Sequence, residues 1–349
     1  MKSAKWMWIM GIIFVFLAMT CFLGQSAWAQ AKPILIKVAN AGPNVPDNRT
    51  VIALDMFKRM VESQTRGAIE VRAYHASSLG SEREALEGIK LGTIEMGTLS
   101  SGTVPGFFAP AMVYDIPYLF SSAPLAWEVF NSSFGREFAE AMRKQTGVRI
   151  LATTENGFRN FTANKPLRKP EDLKGLKIRT MENPAHIAMM KSFGADPTPI
   201  AFGELYMALQ QKVVDGQENP VVLIHDMKFY EVQKYGIMDG HIYSPLFVFI
   251  NDKFFSSLSV SHRNIIQDAA KLLATAHNGF SQRQNILGLD DLRKKGMEIY
   301  MPSLEEIGNF RKIAQPAALK FIKEKAGEDW VNKVIKAVQE AEGYLRFTK

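Results

Sequence analysis

The chain has 349 residues, 47% of them hydrophobic, with 42 lysines and arginines against 35 acids and a formal net charge of +7. That length can bury a large core and suits one large domain or two medium ones. The basic excess is spread along the sequence without runs that interleave aromatics, which argues against a nucleic-acid binder; the single cysteine leaves no pair for a disulfide.

At the N-terminus, Lys2 and Lys5 precede an apolar run from Trp6 to Leu23, and Ala27-Trp28-Ala29 follows. This is the charge, apolar core and small-residue order of a secretory signal covering 1–29, cleaved after Ala29. Two other readings fit the same stretch. The run approaches the roughly 18 residues that span a bilayer, and Cys21 could carry a lipid, although Met19-Thr20 lacks the small residue expected just before it. An exported chain without cysteine pairs must be held together by its core.

Ile34 to Asn40 reads as a strand, followed by a Gly-Pro-Asn-Val-Pro turn, and Ala53, Leu54, Phe57, Met60 and Val61 then recur at helical spacing. Ala68 to Tyr74 is a second strand. Ser81 and Glu84 form a capping box opening a helix through Lys90, and Thr93 to Leu99 is a third strand. The pattern resumes with strands at Arg149 to Thr154 and Leu176 to Arg179, a helix from Pro184 to Ser192 closed by Gly194, and a helix from Phe202 to Lys212. From about Ser261 to Lys295 helical periodicity persists for roughly 50 Å at 1.5 Å per residue, with Gly279 and Gly288 as places to bend. A helix of that length exceeds one compact domain and is expected to lie across two lobes. Ser303 with Glu306 caps the first of two C-terminal helices. Alternating strands and helices predict an α/β fold with largely parallel sheets.

Local catalytic signatures are missing. There is no G-x-S-x-G elbow, H-E-x-x-H, phosphate loop or dinucleotide glycine fingerprint, and no catalytic residue, metal or cofactor is assigned. The six histidines, His75, His186, His225, His241, His262 and His277, lack ligand spacing and suit surface or hydrogen-bonded roles.

Residues 158–220 carry five blocks: Phe158-Arg159-Asn160, Leu173-Lys174-Gly175-Leu176-Lys177-Ile178-Arg179, Phe193-Gly194-Ala195-Asp196-Pro197-Thr198-Pro199, Phe202-Gly203-Glu204-Leu205-Tyr206-Met207-Ala208-Leu209-Gln210 and Val214-Asp215-Gly216-Gln217-Glu218-Asn219-Pro220. Arg179 ends a strand before a loop and helix, where open α/β sheets bind ligands. On residues alone it suits equally an ion pair with Glu182 or a carboxylate site, since its planar fork can make two parallel hydrogen bonds.

In order and spacing these blocks, with Leu79 to Glu84, Tyr114 to Phe120 and the long helix, resemble the solute-binding receptors of TRAP (tripartite ATP-independent periplasmic) transporters. The resemblance implies a two-lobed periplasmic binding-protein fold with an interlobe ligand cleft. Lobe one is expected at 33–156 plus 245–284, and lobe two at 157–244 plus 285–349. It further implies that Arg179 anchors a carboxylate, that Arg159 is a second ligand-facing arginine, that Phe202 lies against the ligand's apolar face, and that Asn219 supplies a polar contact. Ser100, with Ser101 beside it, and Asn40 are candidate contacts from lobe one, and Tyr243 and Asn251 are further ones; Glu204 and Glu218 read as structural partners. The implied function is a monomeric periplasmic receptor, not an enzyme, that hands a small organic anion to a small and a large integral membrane subunit. A hydroxy acid, sugar acid, dicarboxylate, aromatic acid or sulfonate would each suit two arginines and an amide. A receptor serving a sensor or an ABC importer, and a periplasmic hydrolase, are the alternatives.

Overall fold

The computed structural model describes residues 32–347, so the expected secretory leader lies outside the described residues. Strand β1 (Ile34–Asn40) leads into helix α1 (Arg49–Gln64), which buries Ala53, Leu54, Phe57 and Val61. Asn48 starts α1 by accepting the backbone N–H groups of Thr50 and Val51 on its side chain, satisfying two donors that a helix start leaves free. Strand β2 (Ile69–Tyr74) is followed by α2 (Glu82–Leu91), where Ser81 and Glu84 form the expected reciprocal cap. Then come β3 (Met96–Ser100), two 3-10 segments, α3 (Ala123–Asn131) and α4 (Ser133–Thr146).

Strand β4 (Val148–Ala163) is far longer than the expected Arg149 to Thr154. Beyond it lie β5 (Lys177–Thr180), α5 (Pro184–Ser192), β6 (Asp196–Pro199), a 3-10 turn at Phe202–Glu204 running into α6 (Leu205–Gln210), β7 (Gly216–Pro220), α7 (Val221–Asp226) and β8 (Tyr235–Asn251). The chain finishes with α8 (Asp252–Ser257), α9 (Val260–Lys294), β9 (Glu298–Tyr300), α10 (Leu304–Ala326) and α11 (Glu328–Phe347).

Among the described residues nine strands form one sheet in the order β2-β1-β3-β8-β4-β7-β5-β6, with β9 paired to β8. The expectation of largely parallel pairing holds at the flanks, for β1 with β3 and for β5 with β6 and β7, and where β9 joins β8. At the centre β4 and β8 run antiparallel to each other and to β3 and β7. Both are long because each serves both flanks. Val148 to Thr154 pairs with β8 where β8 borders β3, and Arg159 to Ala163 pairs with β7. The ladder shifts register between Glu155 and Gly157 as it passes from one flank to the other, as an inserted residue does in an antiparallel pair. Gly157 has φ +120°, a conformation that favours glycine, and an added Cβ there would sit a tight 3.3 Å from the Cβ of Pro220.

Helices cover both faces of each flank. Helix α9 is unbroken by Gly279 or Gly288 and, at 1.5 Å per residue, extends about 50 Å. Its Ile266, Ala269, Ala270 and Leu273 pack with Phe57 of α1, whereas its Leu292 packs with Leu205 and Leu209 of α6. The helix therefore spans the two lobes of the fold. Helix α11 turns back to the first flank, where Val331 and Val334 join Phe134 and Phe138 of α4.

Candidate ligand-binding site

Where the flanks meet, residues from both enclose a cavity of about 510 Å³, its open mouth included. All six candidates from the sequence line it: Asn40 and Ser100 from the first flank, and Arg159, Arg179, Phe202 and Asn219 from the second. Tyr243 and Asn251 do not. The Tyr243 hydroxyl accepts from Trp127 Nε1 at 2.8 Å, and Asn251 caps α8.

Arg179 stands near the C-terminal end of β5, paired with β6 and β7 in the parallel flank. Its Nε donates to the carbonyl of Ile200 at 2.9 Å. It is 1% exposed, makes no ion pair among the described residues, and its Nη1 has no hydrogen-bond partner. The pair with Glu182 that its position allowed is not formed. Burial brings the guanidinium down to about 10, with Glu218 opposing that fall, so it stays charged at neutral pH. A buried cation without a counter-ion is costly, and one bordering a cavity is a place where an anion lowers the free energy of the protein.

Arg159 differs. Its Nε and Nη2 engage the Glu218 carboxylate in the register where β4 meets β7, and Nη2 also donates to the Glu218 carbonyl at 2.7 Å and to Asn219 Oδ1 at 3.1 Å. Nη1 makes no hydrogen bond within the described residues. Asn219 is likewise engaged, donating to Gln217 Oε1 at 2.5 Å. These residues form one buried polar frame, and Glu218 is the structural partner its position suggested.

The frame continues through histidines that sequence reasoning left unplaced. His241 Nε2 lies 3.3 Å from Glu218 Oε2, and its Nδ1 lies 3.1 Å from Asp239, which also accepts from the Tyr118 hydroxyl at 3.0 Å. His186 bridges from Asp115, at 3.1 Å, toward Glu218, at 3.7 Å. Burial disfavours charge on His241, but Asp239 and Glu218 on either side hold it up at about 9. Burial likewise disfavours the Glu218 carboxylate, and Arg159 with the two histidines holds it well below the usual range. The described residues contain no cluster suited to a metal ion.

Sequence reasoning missed Asn48, Arg49, Glu82, Thr98 and Asn156, which also line the cavity. Arg49 donates from Nη1 to the Asn156 carbonyl and Ser281 Oγ, both at 3.2 Å, and from Nη2 to Asn156 Oδ1 at 2.8 Å. It ties the start of α1 to the crossing of β4 and to α9. No local motif marks it, because the partners arrive from more than a hundred residues away.

The family model for bacterial extracellular solute-binding protein, family 7 (DctP) matches residues 42–325. A solute-binding protein of Verminephrobacter eiseniae is 39% identical over 249 residues, covering 71% of this chain and 74% of that protein. The C4-dicarboxylate-binding periplasmic protein DctP of Rhodobacter capsulatus is 30% identical over 297 residues, covering 84% and 88%. In structure, the sugar acid binding protein DctPAm of Advenella mimigardefordensis, solved with galactonate, superposes with a TM-score of 0.85 at 29% identity, covering 89% of this chain and 99% of that one. Its residues 42–325 and its fold place this chain in the bacterial extracellular solute-binding protein family 7, to which the receptors of TRAP transporters belong.

Proposed function

We propose that this chain is a periplasmic receptor that captures a small carboxylate between two lobes and presents it to the small and large integral subunits of a TRAP transporter. The lobes are 33–156 plus 245–284 and 157–244 plus 285–349, with α11 reaching back onto the first. The observation that carries the reading is Arg179, a fully buried guanidinium that lacks an ionic partner at the edge of an interlobe cavity. Its planar fork matches a carboxylate. Arg159 adds positive charge beside it, Phe202 supplies an apolar wall, and Asn219, Ser100 and Asn40 supply polar ones. Ligand contacts from both lobes favour the closed form, so binding energy moves the open–closed equilibrium. The ligands for which these relatives are named, a C4-dicarboxylate and a sugar acid, are of this chemical type. The role is binding and delivery by a monomer, without catalysis or nucleic acid. No helix of the described residues is long and apolar enough to cross a membrane.

The test is a thermal-shift screen against organic acids, followed by calorimetry. A ligand should raise the melting temperature progressively with concentration, by mass action. A library in which no acid does so, or in which an ester or phosphate is turned over, would overturn the reading.

A further inference from the structure

Beyond β3 the chain turns through a 3-10 segment, Ser101–Gly106, which Ser100 starts by accepting the Gly102 N–H on its hydroxyl at 3.3 Å. The Gly102 backbone lies outside the left-handed region, so an L side chain fits its conformation. The space for one is another matter. A Cβ added to Gly102 would lie 2.5 Å from Met181 Sδ, 3.0 Å from Met181 Cε and 3.7 Å from Asn183 Nδ2, the first well inside the roughly 3.5–4.0 Å of a favourable carbon contact. Gly102 belongs to the proposed lobe one, and all three of those atoms belong to lobe two. The missing side chain leaves room for the other lobe.

Polar contacts fix the same seam. Asn183 Nδ2 donates to the Gly102 carbonyl at 3.1 Å and to Asp115 Oδ2 at 2.8 Å, while its Oδ1 accepts the N–H groups of Ala185 and His186 and so starts α5. The Ser100 hydroxyl donates to Met181 Sδ at 3.8 Å. Met181 stands two residues beyond Arg179, is 5% exposed and lines the cavity; Gly102 does not line it. A methionine side chain bends readily, so the added Cβ poses a choice. Either the thioether swings off Gly102 into the space meant for ligand, or the lobes stop short of each other. Both outcomes weaken binding. Neither burdens an open form in which the seam is apart.

Resting on the receptor reading above, we propose that Gly102 is a positioning residue for ligand capture, the socket on lobe one that receives Met181 of lobe two and sets how far the lobes close. It acts through Met181 and not by touching the ligand. Close-packed contacts are bistable and not continuously deformable, so one methyl group in the socket shifts the balance between open and closed forms.

A double-mutant cycle in the full exported chain tests this, with Gly102→Ala, Met181→Ala and the two combined. Galactonate and succinate are the first probes; where neither binds, the acid giving the largest thermal shift takes their place. Gly102→Ala should weaken binding by about ten- to a hundredfold, the range of an overpacked contact, chiefly through faster dissociation, with the ligand-free melting temperature little changed. Met181→Ala removes both atoms that the new Cβ would meet. In that background Gly102→Ala should therefore change affinity by less than about threefold, the scatter of independent sites. An equal loss in the two backgrounds, or an affinity in Gly102→Ala within about threefold of wild type, would overturn the inference. So would a ligand-free melting temperature that falls in Gly102→Ala, because a merely structural glycine stabilises the protein whether or not ligand is present. If no organic acid binds the wild type, the receptor reading fails and this inference with it, a result distinct from binding that is indifferent to Gly102.

Discussion

Arg159 holds the Glu218 carboxylate from two nitrogens across the β4–β7 register, and both residues are almost fully buried. A buried pair of this kind is costly to form and more costly to halve, because removing one member strands the other in a dry site. Glu218→Ala should therefore destabilise the ligand-free protein by about 3–5 kcal/mol, read as a loss in chemical denaturation. It should also weaken ligand binding, because Arg159 and Asn219 lose the partner that orients them. A loss below about 1 kcal/mol, the range of an exposed pair, would show that the frame does not behave as a buried unit.

Arg179 should behave in the opposite sense. It lacks a counter-ion, so Arg179→Met removes a desolvated charge and substitutes an apolar chain. The ligand-free protein should keep or raise its melting temperature while ligand affinity falls by roughly 2–5 kcal/mol. Arg179→Lys should also bind poorly, because a point charge cannot reproduce the fork. Paired calorimetry and thermal melting separate the roles: a structural arginine would lose stability on substitution, an anion anchor would lose binding alone.

His241 makes stability depend on alkaline pH. Its folded value of about 9 lies above the ordinary 6.5. A raised value means the protonated form stabilises the fold. That contribution is complete below about pH 6.5 and is lost as pH rises through about 9. At about 1.4 kcal/mol per pH unit, the rise from 6.5 to about 9 corresponds to a contribution of roughly 3–4 kcal/mol. The stability difference between wild type and His241→Gln should be largest near pH 6 and shrink steadily toward pH 9.5. A constant difference across that interval would mean that His241 is neutral in the folded state.

Much of the fold is legible from the residues, and the failures share a cause. Strand β1 and the caps at Ser81 and Ser303 stand where local sequence puts them, because their partners lie within a few residues. The long helix is equally readable, since a 3.6-residue period sustained over ten turns has few other meanings. Strand β8 is not readable: Gly236, Gly240 and Pro245 interrupt it, and proline in a central strand argues against that assignment. Pro245 is tolerated because it faces Glu155 where the ladder changes register. The parallel expectation failed at the same place, since nothing local announces that β4 and β8 cross between flanks. In the site, the resemblance singled out residues within contiguous blocks, whereas Arg49, outside every block, acquires its position only through tertiary packing.

The last prediction concerns the mouth of the cavity. Asn48 does two things there. Its Oδ1 accepts from Thr50 N at 2.9 Å, capping α1, and its Nδ2 donates to Asp226 Oδ2 at 2.8 Å, joining α1 to α7 across the proposed lobes. Asp226 is in turn held by His225, whose Nδ1 lies 3.1 Å from Oδ1 and whose Nε2 reaches Asp291 of α9 at 2.9 Å. Serine ranks with asparagine as a helix cap but is too short to reach Asp226, so Asn48→Ser removes only the bridge. If the bridge forms on closure, its loss raises the free energy of the closed state and leaves the open state nearly untouched. Ligand dissociation should then accelerate about tenfold, equivalent to about 1.4 kcal/mol. Association should change little, in keeping with the usual dominance of dissociation in affinity changes. Stopped-flow kinetics would measure both rates. An unchanged dissociation rate with unchanged melting temperature would mean that the bridge is a passive contact rather than a latch.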